Sequence, residues 1–185
     1  MHTTLESHLE QLKRLGTDRV EHRNGSLYKH LQGTWQLLRQ WEAPEATCLA
    51  GLYHSVYSTG GFEQQLIPLS DRARIVEMIG AQAERMVYLF CACDRPATHP
   101  RIGTSEPMLF RDRFSGEDYA LQDNEWRALC EIMLANEMDL GYFDHKFYRK
   151  HQAHYRDLFT RFEPWLSAKA IEARRRFEHS LEEAR

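Results

Sequence analysis

No apolar run in this chain of 185 residues approaches the roughly 18 that a membrane-spanning helix requires. The opening MHTTLESHLEQLKRLG is polar and helical in pattern rather than a secretory signal, so no membrane partner is expected and a cytoplasmic protein is. Cysteine is scarce: Cys48, Cys91, Cys93 and Cys130 include one Cys-x-Cys pair but no paired Cys-x-x-Cys sets. That argues against a zinc ribbon or a disulfide framework and for buried free thiols. Nor is there an excess of charge of one sign. With 24 Lys and Arg against 27 Asp and Glu, a formal net charge of −3 and both signs spread along the chain, no basic surface is available to neutralise phosphates, and nucleic acid is not expected as a partner. A Gly-rich phosphate loop, a Gly-x-Ser-x-Gly elbow and a His-Glu-x-x-His motif are all missing, which removes Walker-type nucleotide binding, serine hydrolase and zincin readings. Internal repeats, low-complexity tracts and strand-like alternation long enough for a sheet are missing too.

What remains is helical periodicity over a length that suits a single domain, residues 1–185. Thr3 with Glu6 reads as a capping box for a first helix carrying Leu5, Leu9, Leu12 and Leu15, ended by Gly16. Asn24-Gly25-Ser26 is a turn with Ser26 as N-cap of a second helix, on which Leu27, Leu31, Thr34, Leu38 and Trp41 share a face. Pro44 and Glu45 open a third, striped by Leu49, Leu52, Tyr53 and Val56 and ending at Thr59-Gly60-Gly61. Ser70 can cap a short helix with Ile75 and Ile79, and Gly80 separates it from an apolar stretch reaching Phe90. Asp94 to Pro107, with Pro96 and Pro100, reads as a long surface loop or lid. Asp123 or Asn124 then caps a helix burying Trp126, Leu129, Cys130, Met133 and Leu140, followed by an aromatic-rich helix from about Asp144 to Phe162. That aromatic stripe can close the core or form the face of a homodimer. Pro164 breaks it, and a mixed-charge, solvated helix ends the chain. The expected fold is an all-α bundle of about seven to eight helices.

Two histidines carry the chemistry this pattern offers. His30 falls on the apolar face of the second helix, in line with Leu27 and Thr34, where an imidazole needs hydrogen-bond partners or a metal. His54 occurs in the nearly uncharged run AGLYHSVYST, one short connection later, so that adjacent helices can bring both rings together. Tyr57 can share the helical face of His54, and Arg95 can approach an anionic substrate from the start of the loop. His22 precedes the turn and can reach the rim. His151 and His154 have a spacing compatible with a metal pair, but their aromatic neighbours favour amphipathic packing.

The order helix, histidine, short loop, then AGLYHS in a following helix resembles the HD superfamily, whose second histidine is followed by aspartate. Over roughly residues 20–140 the chain is most similar to the hydrolase domain of RelA/SpoT-type proteins: RARIVEMIGAQAERMVYLF looks like their paired helices, and LANEMDL like their Leu-Ala-Asp segment. The resemblance implies a manganese ion held by two histidines and two aspartates, with an acidic pair that supports attack of water on a pyrophosphate. His30 and His54 match the histidines. Ser55 stands at the first aspartate, Ser58 and Thr59 at the acidic pair, and Asn136 at the final aspartate, so every acid is replaced by a neutral residue. Two imidazoles with hydroxyl and amide groups make a poor manganese site. Asp139 or Glu137 can restore an acid close to Asn136, and Asp139 is the third metal ligand considered.

The leading expectation is therefore an HD-like enzyme, hydrolase-like, acting on a small polar or phosphate-bearing molecule. His30, His54, Ser55 and Asn136 would be catalytic, and Ser58, Thr59, Tyr57 and Arg95 would bind substrate. A divalent metal, manganese or iron, would be held by His30, His54 and Asp139, or no metal would be used and a histidine would serve as general base. Two alternatives stand beside it: a non-catalytic degenerate domain that binds a ligand or partner, and an iron-dependent oxygenase on the same fold.

Overall fold

The structure is a computed structural model and describes residues 4–23, 25–104 and 106–183. It is all-α, with ten α-helices and two two-stranded sheets among the described residues. Helix α1 (Leu5–Arg14) is capped by Thr4, whose hydroxyl accepts from Ser7 N at 3.4 Å; Thr3, the expected cap, lies outside the described residues. Strands β1 (Glu21–His22) and β2 (Gly25–Ser26) pair antiparallel. They flank the expected turn, of which Asn24 lies outside the described residues. Ser26 then caps α2 (Leu27–Gln40) by accepting from Lys29 N, as its residue type favours.

Three helices build the centre: α2, α3 (Glu45–Tyr53) and α7 (Asp123–Phe143), each packed against the other two. Helix α3 is apolar almost all round and buried on nearly every side, as expected of a helix at the middle of a bundle. It ends at Tyr53, earlier than its periodicity suggests. The end is fixed from outside the helix, because Cys91 Sγ donates to His54 O at 3.0 Å and the Leu66 and Ile67 amides donate to Val56 O. These partners satisfy carbonyls that a helix terminus leaves open.

Helices α4 (Arg72–Ile79) and α5 (Ala81–Ala92) are separated by Gly80 as predicted, and α5 lies against α3 and α7. Ser70 is not the cap of α4; it sits inside a 3-10 turn (Leu69–Asp71) that feeds the helix. Gly80 has φ 83° and ψ 155°, and an added Cβ would meet nothing within 4 Å. The need for glycine is therefore purely conformational, since this region is closed to other residues. Gly80→Ala should cost about 1–3 kcal/mol, measured by denaturant unfolding; an unchanged midpoint would show that the α4–α5 joint relaxes freely.

The Asp94–Pro107 segment is not a free lid. Helix α6 (Arg95–Thr98) and a 3-10 turn (His99–Arg101) occupy it, and the hairpin of β3 (Leu109–Arg111) and β4 (Asp118–Ala120) follows. Thr98, Ile102 and Phe110 are fully buried. Asp112 ties the hairpin down by accepting from the Tyr88 and Tyr119 hydroxyls and from the Phe114 and Ser115 amides. The hairpin was not expected: strands of three residues are too short to show alternation.

Neither Asp123 nor Asn124 caps α7. Gln122 does, in a reciprocal capping box with Glu125. The aromatic-rich helix is two helices, α8 (His145–Lys150) and α9 (Gln152–Phe162), broken at His151 without proline or glycine. Its stripe closes the core through Tyr148, Phe159 and Phe162, while Tyr142 and Phe143 are exposed at the end of α7. Helix α10 (Ala168–Glu183) completes the chain and packs on α7. Among the described residues no helix is long and apolar enough to cross a membrane.

Candidate functional site

The helices α2, α3 and α7 converge on four polar side chains in an apolar interior. His30 comes from the buried face of α2, His54 from the C-cap of α3, and Asn136 and Asp139, one turn apart, from α7. Both histidines are 1% exposed and both α7 residues 6%, so each polar atom needs a partner.

The partners are present. His54 Nδ1 donates to Gly51 O at 2.7 Å within its own last helical turn, which leaves His54 Nε2 as an acceptor. Asn136 Nδ2 donates to Glu137 Oε1 at 3.0 Å, which leaves Asn136 Oδ1 as an acceptor. His30 Nε2 lies 3.2 Å from His54 Nε2 and 3.0 Å from Asn136 Oδ1. With acceptors on both sides, His30 Nε2 carries the hydrogen. On the other edge of the ring, Nδ1 is 2.6 Å from Asp139 Oδ2, a separation that also requires a hydrogen between the two atoms. The Asp139–His30 pair thus holds two protons over three positions.

Burial decides where they sit. It holds His30 down at about 3, with the neighbouring His22 adding to the effect, and raises Asp139 to about 7 against the opposing influence of His22. Both shifts favour neutral forms: a protonated Asp139 donating to His30 Nδ1. His54 is likewise held well below its ordinary 6.5, first by burial and then by His30. The result is one uncharged chain of donors, Asp139 to His30 to His54 and Asn136.

The close approach of Asp139 depends on Gly33, one turn along α2 from His30. A Cβ there would lie 1.8 Å from Asp139 Oδ1. Only a glycine admits the carboxyl group to this position.

On its open side this chain meets a pocket of about 200 Å³. His30, His54, Ser55, Thr59, Asn136 and Arg95 all line it, as the sequence suggested. Ser55 Oγ is buried without a hydrogen-bond partner. His22, anticipated only as a rim residue, stacks on His30 with ring centroids 4.4 Å apart and planes 18° from parallel. Arg23, Glu137, Phe147 and Tyr155 also line the pocket. Tyr155 belongs to a distant segment, and nothing in the local sequence of Arg23 or Tyr155 marks them.

Three predicted residues lie elsewhere. Tyr57 is turned to the opposite side of α3, where its hydroxyl donates to Glu84 at 2.9 Å; Glu84 is also held by Arg72. Ser58 adopts φ 70° and accepts from Arg113 at 2.8 Å, fastening the turn after α3 to the β3–β4 hairpin rather than lining the pocket. Asp139 contacts the back of His30 and is not among the pocket residues, so it orients a histidine instead of presenting an oxygen beside the two Nε2 atoms. His151 and His154 form no metal pair, since His151 packs on Phe147 and His154 on Tyr155.

The donor set therefore does not fit the manganese ion that the resemblance implies. Among the described residues no three His, Cys, Asp or Glu side chains converge as a metal site. Glu137, the one carboxylate in the pocket, is engaged by Arg95 at 3.4 Å and by Asn136. A hard ion favouring carboxylate oxygens finds none presented beside the imidazoles, and the mixed histidine and carboxylate set of an iron oxygenase is not assembled either.

Residues 11–95 are similar to a family described as Domain of unknown function (DUF6817). The matched stretch includes His22, His30 and His54 and stops before α7, which supplies Asn136 and Asp139. No curated protein and no solved structure matches the chain.

Proposed function

We propose that the chain is a metal-independent, hydrolase-like enzyme on an HD-like fold, acting on a small phosphate-bearing molecule in the cytoplasm. One observation carries this reading: the Asp139–His30–His54 chain ends in a pocket flanked by Arg23 and Arg95, so proton donor, proton acceptor and anion-binding groups face one space. The guanidiniums suit a phosphate. A water bound on the pocket side of the two Nε2 atoms, in place of their mutual 3.2 Å contact, meets a donor in His30 and an acceptor in His54. His54 Nε2 takes its proton as the oxygen attacks phosphorus, and His30 gives its Nε2 hydrogen to the leaving oxygen while Nδ1 takes the carboxyl hydrogen of Asp139. The cycle closes when the His54 proton passes to His30 Nε2 and the Nδ1 hydrogen returns to Asp139. General acid–base groups contribute about 10²–10⁴-fold. The HD-like reading is supported by the meeting of His30, His54 and Asn136 from the second, third and seventh α-helices.

The test is phosphate release from p-nitrophenyl phosphate and inorganic pyrophosphate, with chelator present throughout. His30→Ala and His54→Ala should each lower turnover by about 100-fold or more while far-ultraviolet circular dichroism stays unchanged; turnover equal to the parent would overturn the assignment. The unpartnered Ser55 hydroxyl favours a second reading, a site that holds its ligand without converting it. Thermal stabilisation by pyrophosphate with no phosphate released would establish that reading in place of the first.

A further inference from the structure

Beside the histidine pocket lies a second cavity, of about 350 Å³, between α6 and α9. Arg95, Glu137 and Tyr155 belong to the walls of both, so the Arg95–Glu137 pair is the partition between them. That partition is weakly made. Arg95 Nη1 reaches Glu137 Oε1 only at 3.4 Å, and the same oxygen already accepts from Asn136 at 3.0 Å.

The far side of the partition has a different chemistry. Pro96, Pro100, Leu158 and the Tyr155 ring give it largely apolar walls, with His99 and His154 as the imidazoles. Two polar atoms of its wall residues, Arg95 Nε and His99 Nε2, are buried with no hydrogen-bond partner. Buried donors and acceptors are normally satisfied, and exceptions call for an explanation. A largely apolar cavity with a buried unsatisfied imidazole nitrogen in its wall and an incompletely paired guanidinium at its edge has the make-up of a ligand pocket.

We infer that the molecule bound at the histidine site is an organic anion rather than a bare inorganic one. Its charged head contacts Arg95, and its apolar, ring-sized tail occupies the cavity between α6 and α9. This inference rests on the reading of the histidine pocket as an anion site, and it adds the second half of the ligand. The head displaces part of the Arg95–Glu137 contact, and the cost is small because that contact is long.

Calorimetric titration of the full chain with inorganic phosphate and with phenyl phosphate tests it. Phenyl phosphate should bind roughly tenfold tighter or more, the discrimination an apolar pocket gives for a few carbons. His154 is exposed at the rim on α9, so His154→Trp fills the cavity from outside without disturbing the core. That variant should lose the gain for phenyl phosphate and keep the affinity for inorganic phosphate. Equal affinities for the two probes in the parent, or a gain that survives His154→Trp, would overturn the second subsite and leave the anion site standing. Failure of both probes to bind would overturn the anion site as well.

Discussion

A Gly33→Ala variant is expected to be less stable than the parent by about 1–5 kcal/mol, the loss of a buried hydrogen bond and the strain of the overlap partly offset by alanine's helix propensity. In a chain that already lacks the Asp139 carboxyl group, the same substitution is expected to be stabilising. Gly33 lies in the middle of α2, where alanine would ordinarily gain about 1 kcal/mol. The added methyl group instead overlaps Asp139 Oδ1 at 1.8 Å and Cγ at 2.7 Å. Asp139 is 6% exposed and confined by α7, so the carboxyl has little room to withdraw without giving up its 2.6 Å contact with His30. Leaving a partner of such a neutral buried pair without its hydrogen bond costs about 1–3 kcal/mol, and forcing a methyl group into the packed contact about 1–3 more. In an Asp139→Ala background the obstruction and the pair are both gone, and only the helix propensity remains. Urea unfolding of the four members of this cycle reads the sign directly. A Gly33→Ala penalty of equal size in both backgrounds would mean that the glycine serves something other than the carboxyl.

That coupling was not legible in the sequence, and the reason is physical. Periodicity reports which face of a helix is buried, so His30 with Leu27 and Thr34, His54 in an uncharged helix, and Asn136 on the apolar side of α7 could all be placed before the fold was known. It does not report how closely two helices approach. A glycine within α2 reads as a small loss of helix propensity until α7 is seen to press a carboxyl group onto it. The errors have a similar origin. Tyr57 reaches the site only if the α3 period continues beyond Tyr53, where the helix has ended because Cys91, Leu66 and Ile67 supply partners for the carbonyls that follow, and Ser58 stands there by the resemblance alone. Asp139 was read as a ligand because its spacing from Asn136 suits one. Its actual use, behind the imidazole, follows from where α2 crosses α7. The sequence places His22 at the rim, but its stacking on His30 follows from the hairpin before α2, and the arrival of Tyr155 from the packing of α9, which local pattern does not encode.

The second large effect is on stability against acid, and the proton inventory of the site sets its form. His54 and His99 are buried in neutral form, His54 well below its ordinary 6.5 and His99 held to about 3, in both cases chiefly by burial. In the unfolded chain each takes up a proton as pH falls through 6.5, whereas the folded chain does not. Stability is therefore fully present above pH 6.5 and should fall as pH drops, by about 1.4 kcal/mol per pH unit for each such histidine, or about 3 for the pair. His8, lowered by burial, adds in the same direction. His30 should not contribute, although it is lowered too. Between about pH 4 and 6.5 the unfolded chain carries one proton on the His30 imidazolium while Asp139 is ionised. The folded chain carries the same proton on Asp139, whose carboxyl is raised to about 7, while His30 is neutral. Folding moves the proton without binding or releasing one, so the two contributions cancel. Asp139→Asn removes the cancellation, and its stability should fall more steeply than the parent's by about 1.4 kcal/mol per pH unit in this window. His99→Leu should be shallower by the same amount. Guanidinium unfolding at pH 7.5, 6.0 and 5.0 measures all three slopes. An Asp139→Asn slope equal to the parent's would show that the Asp139–His30 pair does not keep its second proton in the folded protein, and with it the proposed supply of that proton to the pocket would fail.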